Sequence, residues 1–110
     1  MNKVILMGNV GTDPKLRYYE KRAVAFFKLA TNEPARRLPD GSEVAARTEW
    51  HNIVATDELG EFVEKYIRTG TRLFISGTLR TRNWEDRQGI SRKVTEIYVT
   101  ELEILGWAER

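Results

Sequence analysis

Most of this 110-residue chain reads as extended segments, and one stretch stands apart with a helical period. Leu59, Phe62, Val63, Tyr66 and Ile67 recur at i, i+3, i+4, i+7 and i+8, the spacing that puts one buried stripe on a helix. Thr56 or Asp57 can cap its start, and Asp57, Glu58 and Glu61 suit the positive end of the helix dipole. Lys65 and Arg68 lie near its end, where Gly70 can take the left-handed conformation that stops a helix.

The remaining segments read at a period of two. Lys3 to Val10 alternates and is rich in Val and Ile, with Gly8 placed for a bulge or bend. Asp13-Pro14 marks a turn, and Tyr18-Tyr19 continues extended. A second run covers Ala23 to Thr31. Pro34, Pro39 and Asp40-Gly41 make residues 32–43 a projecting loop or hairpin tip. Val44 to Ala55 is a third strand. Arg72 to Trp84 and Ile90 to Leu105 are two more, joined across Asp86-Arg87-Gln88-Gly89.

Three strands, one helix and two strands give an all-β fold class. The order fits a five-stranded OB-fold β-barrel with one α-helix between strands 3 and 4. An α+β sheet covered by a single helix shares the pattern. Gly77 inside the fourth strand favours the barrel, whose corners need glycine.

The length suits one domain, expected over residues 1–106 with a short C-terminal end at 107–110. Hydrophobic residues make up 41% and charged residues 31%, which argues against disorder. There is no cysteine, so no disulfide framework or thiolate metal site is expected. His51 is the only histidine, which also argues against a metal site, and no cofactor is expected. The N-terminus lacks the length and cleavage site of a signal peptide, and no stretch is long and apolar enough to span a bilayer, so a cytoplasmic protein is expected.

Net charge is only +2, but its distribution is uneven. Residues 1–32 carry six Lys/Arg against two acids, and residues 71–93 again carry six against two. Residues 56–70 and 94–110 are acidic on balance. Such segregation could build a basic track for a polyanion, and equally describes an uneven solvated surface.

Trp50 and Trp84 stand in alternating runs, Thr48-Glu49-Trp50-His51 and Leu79-Arg80-Thr81-Arg82-Asn83-Trp84. Indole faces that stack on bases, next to guanidinium groups that bind phosphate, meet the needs of sequence-tolerant single-strand binding. Taken alone, large aromatics are more often buried in a core or an interface. Asp13, Asp40, Asp57 and Asp86 fall in separate turns, and no nucleophile motif accompanies His51, so an enzyme such as a nuclease is not expected.

Three fragments in order resemble the bacterial single-stranded DNA-binding proteins. They are Asn2-Lys3-Val4-Ile5-Leu6-Met7-Gly8-Asn9-Val10-Gly11 with Asp13-Pro14 and Arg17-Tyr18, then Thr48-Glu49-Trp50-His51, then Gly77-x-Leu79-Arg80-Thr81-Arg82-x-Trp84. The resemblance runs from Asn2 to about Gly106. It implies an OB-fold that binds and protects single-stranded DNA in replication, recombination and repair, and that assembles as a homotetramer in the bacterial cytoplasm and nucleoid. Trp50 and Trp84 become stacking platforms, and Lys3, Arg80 and Arg82 line the phosphate path. His51 falls at a subunit contact, and the first strand, with Val4 and Leu6, is the expected pairing element.

Aromatic positions of the family fall here near Ala35 or Arg36 and at Thr56. Arg36 and Arg37 are candidates to make up the difference by phosphate contact or stacking, and read equally as solvated loop charges. Relatives recruit replication and repair proteins through a flexible tail with an acidic tip, whereas this sequence stops at Trp107-Ala108-Glu109-Arg110. A dimeric primosome component of the PriB type, bridging DNA and partner proteins, is the alternative within the same fold.

Overall fold

The structure is a computed structural model and describes residues 1–108, so Glu109 and Arg110 of the expected C-terminal end lie outside the described residues. In chain order the elements are β1 (Val4–Val10), β2 (Lys15–Tyr19), β3 (Arg22–Glu33), β4 (Arg36–Arg37), β5 (Glu43–Val44), β6 (Arg47–Thr56), α1 (Asp57–Tyr66), β7 (Arg72–Glu85) and β8 (Ser91–Gly106).

Five strands close into a ring. β1 pairs antiparallel with β7 from Val4↔Gly77 to Asn9↔Arg72, and β7 pairs antiparallel with β8. β8 meets β6 in parallel at only Ile53↔Ile97 and Val54↔Tyr98. β6 pairs with β3 over ten positions, and β3 returns to β1 at Asn9↔Ala30 and Val10↔Leu29. Where β1 leaves the edge of β3, β2 takes it over from Lys15↔Phe26 to Tyr19↔Arg22. β1 and β2 thus act as one bent first strand, and the architecture is the expected OB-fold barrel with its helix between the third and fourth strands.

Inward residues of alternating strands fill the barrel. Ala25, Phe27 and Leu29 of β3 meet Ile53 and Ala55 of β6, Leu73 and Ile75 of β7, and Ile97 and Val99 of β8. Each fully buried aliphatic side chain contributes roughly 1.5–3 kcal/mol against the entropy of ordering. Gly77 is required where expected: a β-carbon there would overlap the Tyr98 carbonyl, and the β7–β8 register shifts between Ser76 and Gly77. Gly8 makes no bulge. It pairs regularly with Leu73, and its hydrogen faces the Ala30 carbonyl, where no side chain would fit.

The helix plugs one end, with differences from the expected stripe. Val63 and Ile67 are buried, but Phe62 and Tyr66 are half exposed and lean on each other at 4.9 Å. Gly60 takes their place on the packed face, because a β-carbon there would stand 2.8 Å from the Ala55 carbonyl. Thr56 occupies the N-cap without a side-chain cap bond. Asp57 instead begins the helix with φ 55° and is clamped by Arg22. The helix ends at Tyr66, before Gly70, whose φ of 93° serves the turn into β7.

The two long hairpins project beyond the barrel. The first carries the small β4–β5 ladder at its tip, as residues 32–43 suggested. The second turns at Asp86, whose Oδ1 accepts from the Gln88 and Ile90 N–H groups and whose Oδ2 accepts from Arg92 Nε at 2.9 Å. No helix among the described residues is long and apolar enough to cross a membrane.

Candidate nucleic-acid interface

Directly opposed residues in an antiparallel sheet share a face, so the ladder registers assign every side chain to the inside or outside of the barrel. On β3 the inward set is Ala23, Ala25, Phe27 and Leu29, all buried, which sends Arg22, Val24, Phe26, Lys28 and Ala30 outward. Across the ladder these stand opposite Thr56, Val54, Asn52 and Trp50 of β6 and Lys15, Arg17 and Tyr19 of β2. Val54 pairs with Tyr98, which carries the face onto β8, and Tyr98, Glu96, Val94 and Arg92 oppose Thr78, Arg80, Arg82 and Trp84 of β7.

One continuous outer face thus gathers Tyr19, Phe26, Trp50, Trp84 and Tyr98 with Lys15, Arg17, Arg22, Lys28, Arg80, Arg82 and Arg92. Lys15, Arg17, Arg22 and Lys28 come from the basic N-terminal segment, and Arg80, Arg82 and Arg92 from the basic segment around β7. Folding brings those two segments onto one face, where Arg22 lines the same groove as Arg80 and Arg82. The aromatic surface is open: Trp50 is 55% and Trp84 43% exposed. On the same face runs a shallow groove of about 510 Å³ lined by Tyr19, Phe26, Arg80, Arg82 and Tyr98. A second hollow, holding Lys15, Lys28, Asn52 and Glu96, shares Phe26 with it.

The cations are held differently. Arg80 lies over the Tyr98 ring with its guanidinium carbon 4.2 Å from the centroid, a cation–π contact that fixes both groups. Arg22 is paired with Asp57 at 2.7 Å and Arg92 with Asp86 at 2.9 Å. Lys15, Arg17, Lys28 and Arg80 have no carboxylate partner among the described residues. Arg82 donates from Nε to Glu96 Oε1 at 2.8 Å and from a terminal nitrogen to Oε2 at 3.3 Å. Glu96 is 4% exposed, and those bonds hold Arg82 still more firmly in its charged form. Arg82 therefore neutralises the acid on this face before it can meet any ligand.

Asn2 sets Lys3 at the margin of the face. Its side chain donates to the Leu79 carbonyl and accepts from the Leu79 N–H, both at 2.8 Å, like one more rung of the β1–β7 ladder. Lys3 is then level with Thr78, next to Arg80. Arg36 and Arg37 stand on the β4–β5 tip instead of the barrel face, and Arg37 is paired with Glu43 at 2.7 Å.

His51 points to the other side of β6 from Trp50, and its Nε2 is 2.8 Å from the Thr31 hydroxyl. Val4 and Leu6 are the residues expected at the subunit pairing surface. Both are partly buried against the core, and the outward residues of β1 are Ile5 and Met7, each more than half exposed. Tyr18 and Tyr19 are also more than half exposed.

Phe26, Tyr98 and Tyr19 are the aromatic members of the face that pattern reading missed. Their signal is the alternation phase itself: Phe26 lies an even number of residues from Lys28 and Arg22, in a strand whose odd positions are apolar from Ala23 to Leu29.

Residues 1–105 match the family model described as the single-strand binding protein family. A single-stranded DNA-binding protein of Bacteroides thetaiotaomicron is 47% identical over 106 residues, which is 96% of this chain and 66% of that protein. The chain thus spans just under two thirds of that relative's length. The structure of a Plasmodium falciparum SSB in complex with ssDNA superposes with a TM-score of 0.84 at 33% identity, covering 96% of this chain and 95% of that one.

Proposed function

The chain belongs to the single-strand binding protein family, and on that premise we propose that it binds single-stranded DNA without sequence preference along the outer face of the barrel. The observation that carries this reading is the single face on which five aromatic side chains alternate with seven cations across β2, β3, β6, β7 and β8. Every base has a π-face and every nucleotide a phosphate, so stacking and charge together recognise the polymer and ignore its sequence. Duplex DNA hides its base faces and gains nothing from the rings.

The action is binding, not catalysis. Coating an exposed strand protects it and draws hairpins open by mass action, the service that replication, recombination and repair require. The site of action is the cytoplasm, at the nucleoid where such strands arise. Assembly follows from β1, whose Val4–Gly8 edge away from β7 has no partner strand among the described residues and whose outward Ile5 and Met7 offer an apolar surface to a second copy. A tetramer built of two such dimers is the expected state.

Titration of labelled oligo-dT, a mixed-sequence single strand and a duplex tests the reading. The two single strands should bind alike and the duplex far more weakly, with log affinity falling by about 0.7 per phosphate neutralised as log salt rises. Equal binding of the duplex would overturn it. Release of labelled fragments with magnesium would replace binding by cleavage.

A further inference from the structure

A second aromatic and basic cleft lies at the helix end of the barrel, outside the face described above. It holds about 550 Å³ between the last turn of α1 and the chain following β8, with Tyr66 and Trp107 as its rings and Lys65 and Arg68 as its cations. Trp107 is 66% exposed, more than either indole of the outer face. Tyr66 is braced from behind by Phe62 and has the Lys65 ammonium 5.4 Å from its ring centroid.

Asp13 is the acid in this cleft, and its oxygen is already engaged: Oδ1 accepts from the Thr69 N–H and from the Thr69 hydroxyl, both at 2.8 Å. These bonds also hold the loop before β2 against the turn after α1. Asp13 lines both this cleft and the hollow that contains Lys15, Phe26 and Lys28. The two sites are therefore contiguous at Asp13, with Lys15 two residues beyond it on the side of the hollow.

We propose that the cleft is an extension of the single-strand track, in which a nucleotide leaving the outer face at Lys15 stacks on Trp107 while Lys65 and Arg68 meet its flanking phosphates. The ligand class follows from the chemistry, since two accessible rings beside two cations repeat the elements of the outer face. Continuity at Asp13 and Lys15 selects the same polymer over a separate ligand. This extension rests on the single-strand reading above.

The test uses the full chain and two dT oligonucleotides, one of about 6 nucleotides and one of about 16, within the range of site sizes for OB-folds. Trp107→Ala and Arg68→Ala should each bind the longer oligonucleotide severalfold to about tenfold more weakly and the shorter one unchanged. Trp107→Phe should restore most of the loss. Iodouracil in the longer oligonucleotide should photocrosslink to Trp107. Full affinity for both lengths in Trp107→Ala, with no crosslink, would overturn the extension while leaving the outer face intact. Equal losses at both lengths would assign Trp107 to structure and also overturn it. A wild-type chain that bound neither oligonucleotide would remove the underlying reading and this one together.

Discussion

Gly11 forms the floor beneath Trp50. A β-carbon at Gly11 would overlap Cζ3 of the indole and approach Cη2 to 2.9 Å, so one face of the ring rests on bare backbone. That backbone is anchored in turn, since the Gly11 N–H donates to the Lys28 carbonyl at 2.8 Å. The placement of the Trp50 ring therefore depends on a residue with no side chain to contribute.

Gly11→Ala should displace the Trp50 ring at little cost to the core, because the obstructed atoms are the far end of an exposed side chain. We expect thermal stability close to wild type and an oligo-dT affinity reduced toward that of Trp50→Ala, by roughly 1–3 kcal/mol. Unchanged affinity in Gly11→Ala would show that the ring works equally well in another position.

Trp84 stands on the projecting β7–β8 hairpin, where its loss exposes no cavity. Saturating oligo-dT should quench tryptophan emission, and Trp84→Ala should lower affinity by about 1–3 kcal/mol with the unfolding midpoint preserved. A mutant that bound normally would take Trp84 off the track.

Arg82 and Glu96 should respond unequally. Arg82→Ala leaves a nearly buried carboxylate without its donor, which costs on the order of 1–3 kcal/mol of stability and leaves an unneutralised negative charge on the binding face. Glu96→Gln frees Arg82 for phosphate, so it should bind oligo-dT more tightly and with a steeper salt dependence. Urea unfolding and salt titrations of both variants and of the double mutant separate these effects. A shallower salt slope in Glu96→Gln would assign the pair a purely structural role.

Asp86 links the hairpin tip to pH. Its carboxyl is held below the ordinary value of 3.8 by the Arg92 guanidinium and by the Ile90 and Gln88 N–H groups. A lowered folded-state value means that the contribution is complete above the unfolded value and drains away as pH falls through the folded one. Asp86→Ala should therefore melt below wild type at neutral pH, and the two curves should converge below about pH 4. A gap that persisted in acid would point to the backbone of the turn instead of the charge.

Assembly should be sensitive to the outward side of β1. Replacing Ile5 and Met7 together by lysine should lower the mass measured by light scattering at micromolar concentration, while Val4→Ala should first lower stability, because Val4 packs on the core. A wild-type mass of two chains at every concentration would favour the dimeric alternative.

Punctuation and period locate most elements in the sequence. The Asp86-to-Gly89 turn, the 32–43 excursion and the helix all fell where local chemistry placed them. What failed was phase. Val4, Ile5, Leu6 and Met7 are all apolar, so alternation could not say which pair turns inward, and only pairing with Gly77 and Ile75 decides it. On the helix, a count of apolar side chains favoured Phe62 and Tyr66, whereas the close approach to Ala55 needed the absence of a side chain at Gly60. Trp50, Trp84 and Arg80 are legible as candidates because of their company in short runs, and the fold puts all three on one outer face. Phe26 and Tyr98 are not legible, because burial is the default for isolated aromatics and they join the others only through cross-strand register.

The parallel junction of β6 with β8 has a mechanical consequence. Ile53↔Ile97 and Val54↔Tyr98 are its only rungs, which makes it the shortest seam in the part of the ring that carries the outer face. A polymer lying across Asn52, Val54 and Tyr98 crosses that seam like a suture, tied to both lips by groups that need not touch each other. Transient parting of the ring would have to stretch or shed the bound strand, so occupancy should slow amide exchange along Ile97 to Val99 beyond the footprint of any direct contact. On the proposed reading, a bound strand would act as a temporary hoop around the barrel that holds it.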